Sequence, residues 1–260
     1  MGIGISEEHV ALAASVRRFL ERNCPPSVLR AGIEEGGSRS LPPFWQEMAD
    51  LGLLGLHLPE HSGGQGYGML ELGVVAEEMG RACAPGPFLP TVLVSCLVAM
   101  GCADGTQAEL LAALAGGGTA AVAFPASSAL RAVREGTGIR VEGCVRPLPE
   151  AAGARWFLLP ARSEAGEDMW CLVPAADVAV TAVSGLDPTR PVVEVTVEGA
   201  VVPPERVLGL DRQRVNDLVT VVAAAECVGG ARWCVETAAE YSKVREQFGR
   251  PIGQFQAIKH

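Results

Sequence analysis

The residues best suited to chemistry lie between Arg245 and His260, in the run R-x-Q-F-G-x-P-I-G-x-F-Q-x-I-x-H. Arg245 brings a planar guanidinium fork, which grips a diphosphate or carboxylate through paired N–H bonds. A carboxylate suited to proton abstraction is harder to find. Glu226 stands among Ala223, Ala224, Ala225 and Cys227 on an apolar helical pattern, where burial would raise its pKa toward that of a base. The same placement suits a carboxylate that packs a helix or an interface. His57 and His61 flank Pro59-Glu60, but His57 sits in an apolar run and further ligands are absent, so no metal site is expected. The glycines from Gly63 to Gly68 follow no strand and precede no Lys-Ser or Lys-Thr, which makes them turn glycines rather than a phosphate loop.

These residues need elements to hold them. Ser6 can cap a helix over residues 6–22, with Glu7 and Glu8 at its positive end and Val10, Ala13, Val16, Phe19 and Leu20 at helical spacing. Cys24-Pro25-Pro26 should end that helix. Further helices are expected at about 43–51, 69–81, 89–100 and 107–115, giving five in the N-terminal third. After Gly116-Gly117-Gly118 the segments 119–124, 138–142, 155–159, 170–173 and 192–197 are short, apolar or alternating, and separated by Gly, Pro, Asp and Ser. They predict a small antiparallel β unit. Residues 218–243 then read as one long helix, rich in Val and Ala and therefore expected to be largely buried. The resulting fold class is α+β and multidomain: a helical domain over 1–117, a middle antiparallel barrel or sandwich over 118–207, and the start of a C-terminal helical bundle over 208–260.

Composition narrows the function. The net charge of −9 and the presence of only two lysines, Lys243 and Lys259, among 21 basic residues argue against a nucleic-acid partner, which needs clustered positive charge. Eight cysteines form no C-x-x-C pair and most sit in apolar runs, which fits a reduced, cytoplasmic setting. No basic segment followed by an apolar core opens the chain, so no signal peptide is expected. Apolar stretches such as 111–125 are broken by glycine and fall short of the ~20 residues a bilayer requires, so no membrane association is expected either.

The 245–260 run, the string Trp45-x-x-Met48-x-x-Leu51-Gly52-Leu53-Leu54-Gly55-Leu56-x-x-Pro59-Glu60-x-x-Gly63-Gly64-x-Gly66, the stretch Glu77-Glu78-Met79-Gly80-Arg81 and Leu208-Gly209 together resemble the acyl-CoA dehydrogenase family in order and spacing. The resemblance spans the whole chain and is weakest over 126–150. It implies FAD as cofactor and the α,β-dehydrogenation of an acyl-CoA thioester. A glutamate removes the α-proton, the β-hydride passes to flavin N5, and a trans-2-enoyl thioester is left. It also implies an oligomer, with an electron-accepting flavoprotein as redox partner.

Residue by residue, Arg245 matches the arginine that meets the FAD diphosphate across a subunit interface, and Phe248 and Gln256 match positions lining the same cofactor. Where the family carries T-E-P-x-x-G-S-D at the flavin ring, this chain has Val122-Ala123-Phe124-Pro125-Ala126-Ser127-Ser128. The resemblance leaves main-chain N–H groups of Val122 and Ala123 as ring donors and Ser128 as a substrate contact. Pro147-Leu148-Pro149 replaces a W-x-T segment that packs on the flavin, and Thr220 replaces a substrate-facing arginine. Most relatives supply the base beyond the point matching His260, and some from the helix position matching Val219 or Thr220, so a base outside this chain is expected. Two alternatives follow from these departures: a non-catalytic subunit that lends Arg245 and Gln256 to a shared flavin, or a dehydrogenase acting on a carrier-bound acyl group.

Overall fold

The computed structural model describes residues 4–34, 41–101, 107–124 and 129–259. Helix α1 (Glu7–Asn23) begins as its sequence dictates: the Ser6 hydroxyl accepts from the His9 N–H, and the His9 ring accepts from the Ser6 N–H. Cys24-Pro25-Pro26 ends α1 but also opens α2 (Pro26–Glu34), because the fixed φ of proline suits a first helical position. With α3 (Trp45–Asp50), α4 (Met69–Arg81), α5 (Phe88–Gly101) and α6 (Ala108–Ala115), the described N-terminal domain has six helices where five were expected. Helix α5 buries every residue from Phe88 to Val98, as befits a helix that is hydrophobic all round.

The middle domain is one eight-stranded sheet of β1 (Ala120–Val122), β2 (Leu130–Glu135), β3 (Gly138–Pro149), β4 (Trp156–Ser163), β5 (Asp168–Pro174), β6 (Ala179–Val183), β7 (Val192–Val202) and β8 (Val207–Leu208). The strand order is β6-β7-β3-β2-β4-β5-β8, with β1 beside β4. Most pairings are antiparallel, as expected, and β1 and β2 in addition both run parallel to β4. Strands β2 and β6 were not foreseen. In β2 only Leu130 and Ala132 are well buried, while Arg131, Arg134 and Glu135 dilute the apolar signal. One core joins the helices to β1 and β5, and a second, built on Val141, Val145, Phe157, Leu159 and Val195, fills the other side of the sheet.

Helix α7 (Arg212–Val244) is 33 residues long, about 50 Å at 1.5 Å per residue. Asp211 caps it by accepting from the Arg214 N–H at 2.9 Å. Its composition suggested deep burial, yet only Val215, Val219, Val222 and Gly229 are buried. Val228, Trp233, Val235, Tyr241 and Val244 face outward. It is also the one described helix long and apolar enough, by length and composition, to cross a membrane.

What seats α7 is a backbone-to-backbone crossing with α4. A Cβ on Gly229 would lie 1.7 Å from the Glu77 carbonyl oxygen and 2.7 Å from the Arg81 nitrogen, and a Cβ on Gly80 would lie 1.9 Å from the Glu226 carbonyl oxygen. Glycine is required at both positions for that approach, and not for its conformational freedom. The Arg232–Glu77 pair at 2.7 Å and the Arg81–Glu236 pair flank the contact.

Substituting Gly229→Ala is expected to lower unfolding stability by about 3 kcal/mol or more, since backbone rather than a flexible side chain must move. Gly73→Ala, in α4 with no heavy atom within 4 Å of the added Cβ, should raise it by up to about 1 kcal/mol. Urea unfolding of the two variants checks both signs, and similar effects from both would contradict the crossing.

Candidate functional site

The helix delivers the 245–256 run to its far end. Arg245 leaves helical geometry at φ −74°, ψ 121° while its N–H still bonds the Tyr241 carbonyl at 2.9 Å. Strands β9 (Glu246–Gln247) and β10 (Arg250–Pro251) pair antiparallel around Phe248 and Gly249, at φ +54° and +76°. Two left-handed residues make the tight hairpin turn whose twist matches its strands. Phenylalanine is an unfavourable choice there and projects its ring into solvent, 92% exposed. The hairpin is fastened to its helix by the Ile252 N–H on the Arg245 carbonyl at 2.8 Å and by Gly253 pressed against Ser242.

Around the turn, Phe248 meets Phe255 edge-on at 6.1 Å, and the Arg250 guanidinium lies 4.1 Å over the Phe255 ring. Arg245 is exposed and, among the described residues, forms no ion pair. Gln256 opens the short helix α8 (Gln256–Lys259), also exposed. Arg245, Phe248 and Gln256 are thus carried on one projection at the end of α7.

The other expected flavin contacts fare differently. Val122 and Ala123 are both 0% exposed, closed in between α5 and the sheet, and the Ala123 N–H already bonds the Leu158 carbonyl at 3.1 Å. In this structure the Ala123 N–H is taken by the sheet, and the small side chains of Ala120, Ala121 and Ala123 let the packing close around both residues. Ser128 lies outside the described residues. Trp156 is half-buried at the start of β4, with the Arg206 guanidinium 4.9 Å from its ring centre. His57 is held neutral, its pKa pushed down to about 4 by burial, with Nε2 2.9 Å from the Ser95 hydroxyl, while His61 is exposed. No cluster of three or more metal-ligating side chains occurs among the described residues.

Glu226 does not stand ready as a base. Arg190, on the connection between β6 and β7, donates from Nη2 to Glu226 Oε1 at 2.6 Å and from Nη1 to Glu226 Oε2 at 3.2 Å. Nη1 also donates to Glu150 Oε1, at the end of β3. Within this cluster the perturbed carboxyl is Glu150, which sequence reasoning did not single out. Burial pushes its pKa up to about 7; Arg190 pulls it down, and Glu226 and Asp187 push it up again. Arg190, although burial works against its charge, is held above its ordinary pKa by the Glu150 and Glu226 carboxylates. Glu150 further adopts φ +55° and leaves Oε2 buried without a partner. Its one sequence signal is a charge set between Pro147-Leu148-Pro149 and Ala151-Ala152.

A helical domain, a strand-rich middle and a long helix ending in a basic, aromatic hairpin make up an α+β chain. Residues 6–118 match the acyl-CoA dehydrogenase N-terminal domain and residues 220–260 match the acyl-CoA dehydrogenase C-terminal domain. The acyl-CoA dehydrogenase FadE34 of Mycobacterium tuberculosis (strain ATCC 25618 / H37Rv) is 36% identical over 88% of this chain, which spans only 30% of that longer protein. Two solved structures superpose on 99% of the chain and 72% of their own: the Tcur3481-Tcur3483 steroid ACAD G363A variant, at 30% identity and TM-score 0.85, and the ChsE4-ChsE5 complex from Mycobacterium tuberculosis, at 29% and 0.86. The chain belongs to the acyl-CoA dehydrogenase family, whose cofactor is FAD.

The raised pKa of Glu150 has a definite thermodynamic sign. The folded state keeps its proton to near pH 7, whereas the unfolded chain loses it near the ordinary value of 4.5, so the contribution is favourable at low pH and is lost as pH rises through that window. Glu150→Gln does not titrate. Its stability relative to the parent should rise by about 3 kcal/mol at most between pH 4.5 and pH 8. Parallel stability–pH curves for the two proteins would refute the assignment.

Proposed function

We propose that this chain serves FAD-dependent α,β-dehydrogenation of an acyl-CoA thioester as one subunit of an oligomer, with its hairpin meeting FAD on a neighbouring subunit. The observation that carries this reading is the hairpin: an unpaired Arg245 guanidinium and a solvent-exposed Phe248 on a turn locked to the end of α7. Within this chain Arg245 holds the diphosphate, Phe248 and Gln256 flank it, and the α4–α7 crossing places all three. The bound FAD supplies a hydride acceptor for Cβ, while a carboxylate takes the α-proton. Glu226 cannot be that carboxylate while Arg190 occupies both its oxygens, and the base is supplied from outside this chain.

The sealed Val122 and Ala123, with Pro147-Leu148-Pro149 in place of an aromatic and a hydroxyl, favour a second form of the same reading. In it the chain lends its hairpin to a flavin whose ring is seated wholly on the partner. The ChsE4-ChsE5 structure is a complex of two named components, which supports a heteromeric arrangement here as well. Apolar residues along the outer half of α7 also call for a covering protein surface. An electron-accepting flavoprotein completes the redox cycle, and the free thiols of Cys24, Cys83, Cys96, Cys171, Cys227 and Cys234 suit a reducing cytoplasm.

The visible spectrum of the purified chain, alone and co-purified with a complete acyl-CoA dehydrogenase subunit, tests this. A flavin band is expected in the co-purified sample, and Arg245→Ala should weaken FAD retention at least tenfold, in line with losing a charge-assisted hydrogen bond worth roughly 1.5–3 kcal/mol. Absence of flavin from both samples would sink the reading. The chain alone is further expected to self-associate in light scattering, and a clean monomer would count against the need for a partner.

A further inference from the structure

The Glu150–Arg190–Glu226 cluster is costly in three ways at once. It draws a half-buried arginine among carboxylates that outnumber it, it includes Glu150 in left-handed backbone, and among the described residues it leaves one buried carboxylate oxygen unsatisfied. Buried ion clusters of this kind add little net stability, and their best-attested use is to fix one geometry among several. The relevant geometry is that of α7.

Arg190 is itself prearranged. Asp187 Oδ1 accepts from the Thr189 N–H at 2.9 Å and from the Thr189 hydroxyl at 2.6 Å, which shapes the turn just before Arg190. Immediately after it, the Pro191 carbonyl accepts from the Glu150 N–H at 2.7 Å. The sheet therefore presents this arginine on a fixed base. Its target, Glu226, is the residue whose main-chain oxygen Gly80 of α4 approaches most closely. At that one point α7 is held from both sides, by the sheet through its side chain and by α4 through its backbone.

Against α4 the helix is held by two close backbone approaches and the Arg232–Glu77 and Arg81–Glu236 pairs, which fix the crossing, while its tilt relative to the sheet depends on contacts from the sheet itself. A second ion pair from the sheet, Arg212 to Asp168 at 3.2 Å, lies at the start of α7 and is partly exposed, so it bears little on the helix's far end. From Glu226 to Arg245 the helix runs about 28 Å, so a tilt of about 10° carries Arg245 some ~5 Å. That displacement exceeds the reach of a hydrogen bond.

We propose that Arg190 is a positioning residue: by clamping Glu226 to the sheet it fixes the tilt of α7 and thereby the place where Arg245 and Phe248 are delivered. The functional half of this proposal rests on the hairpin being a cofactor contact, and the clamp itself rests on the geometry alone. Arg190 touches neither cofactor nor substrate in this scheme and acts through the helix.

The test uses the full chain in its FAD-containing assembly, with Arg190→Met, Arg190→Lys, and a neutral triple variant, Arg190→Met with Glu150→Gln and Glu226→Gln, that leaves no buried charge stranded if the single variant misfolds. Hydrogen exchange over residues 223–236 should quicken at least tenfold in the Met and triple variants while the amides of α5 stay protected. FAD should leave at least tenfold faster, with an altered flavin absorption envelope. Lysine, which keeps the charge but not the fork, should fall between. A folded triple variant with parental exchange and parental FAD release overturns the proposal. If the parent assembly holds no FAD, the cofactor reading fails on its own. Hydrogen exchange then decides the clamp, upheld by faster exchange and overturned by unchanged exchange.

Discussion

The structure depends on one contact: the glycine-to-backbone crossing of α4 and α7. A 33-residue helix that buries only Val215, Val219, Val222 and Gly229 has too little apolar cover to be located by hydrophobic packing along its length. Removing the β-carbon at Gly80 and at Gly229 lets the two backbones meet closely enough for dispersion and the flanking ion pairs to act. Everything outward of the crossing, including the hairpin, inherits its position from that point. The first half of the helix is anchored among α5 and the core, and the second half extends away as a lever.

This division explains why charge is spent inside the molecule. The β unit touches the middle of α7 through Arg190, whose partners come from the end of β3 and from the helix itself. Hydrophobic residues at the same positions would pack more favourably but would not distinguish one helix tilt from another. The Glu150 carboxyl bears the cost, in burial and in backbone conformation. Stability and placement are thus supplied by different parts of the chain, the apolar core for the first and a strained polar cluster for the second.

Much of the helical domain was legible because its signals are local. Ser6 caps α1, and Gly68 precedes α4. Helix α2 was missed because a proline pair reads equally well as a stop and as a start. The parallel pairings of β1 and β2 with β4 were missed because strand direction is decided by connections and not by residue type. Helix α7 was misjudged because Ala and Val signal apolarity without saying what covers it. The Glu150–Arg190–Glu226 cluster was not legible as a cluster: Glu150 and Glu226 each stand out only as a charge among apolar neighbours, and the members lie 40 and 36 residues apart. Val122 and Ala123 were assigned an outward role from their place in a motif, whereas the small side chains around them allow the surface to close.

The most direct measurement is an electron cryo-microscopy map of the FAD-containing assembly at a resolution that shows side chains. The account predicts density for Arg245 against the diphosphate of an FAD bound on a neighbouring subunit, with Phe248 beside it and Arg190 bridging Glu150 and Glu226 in the same chain. A map in which the hairpin lies in solvent, or folds back on its own chain with the FAD elsewhere, would contradict it.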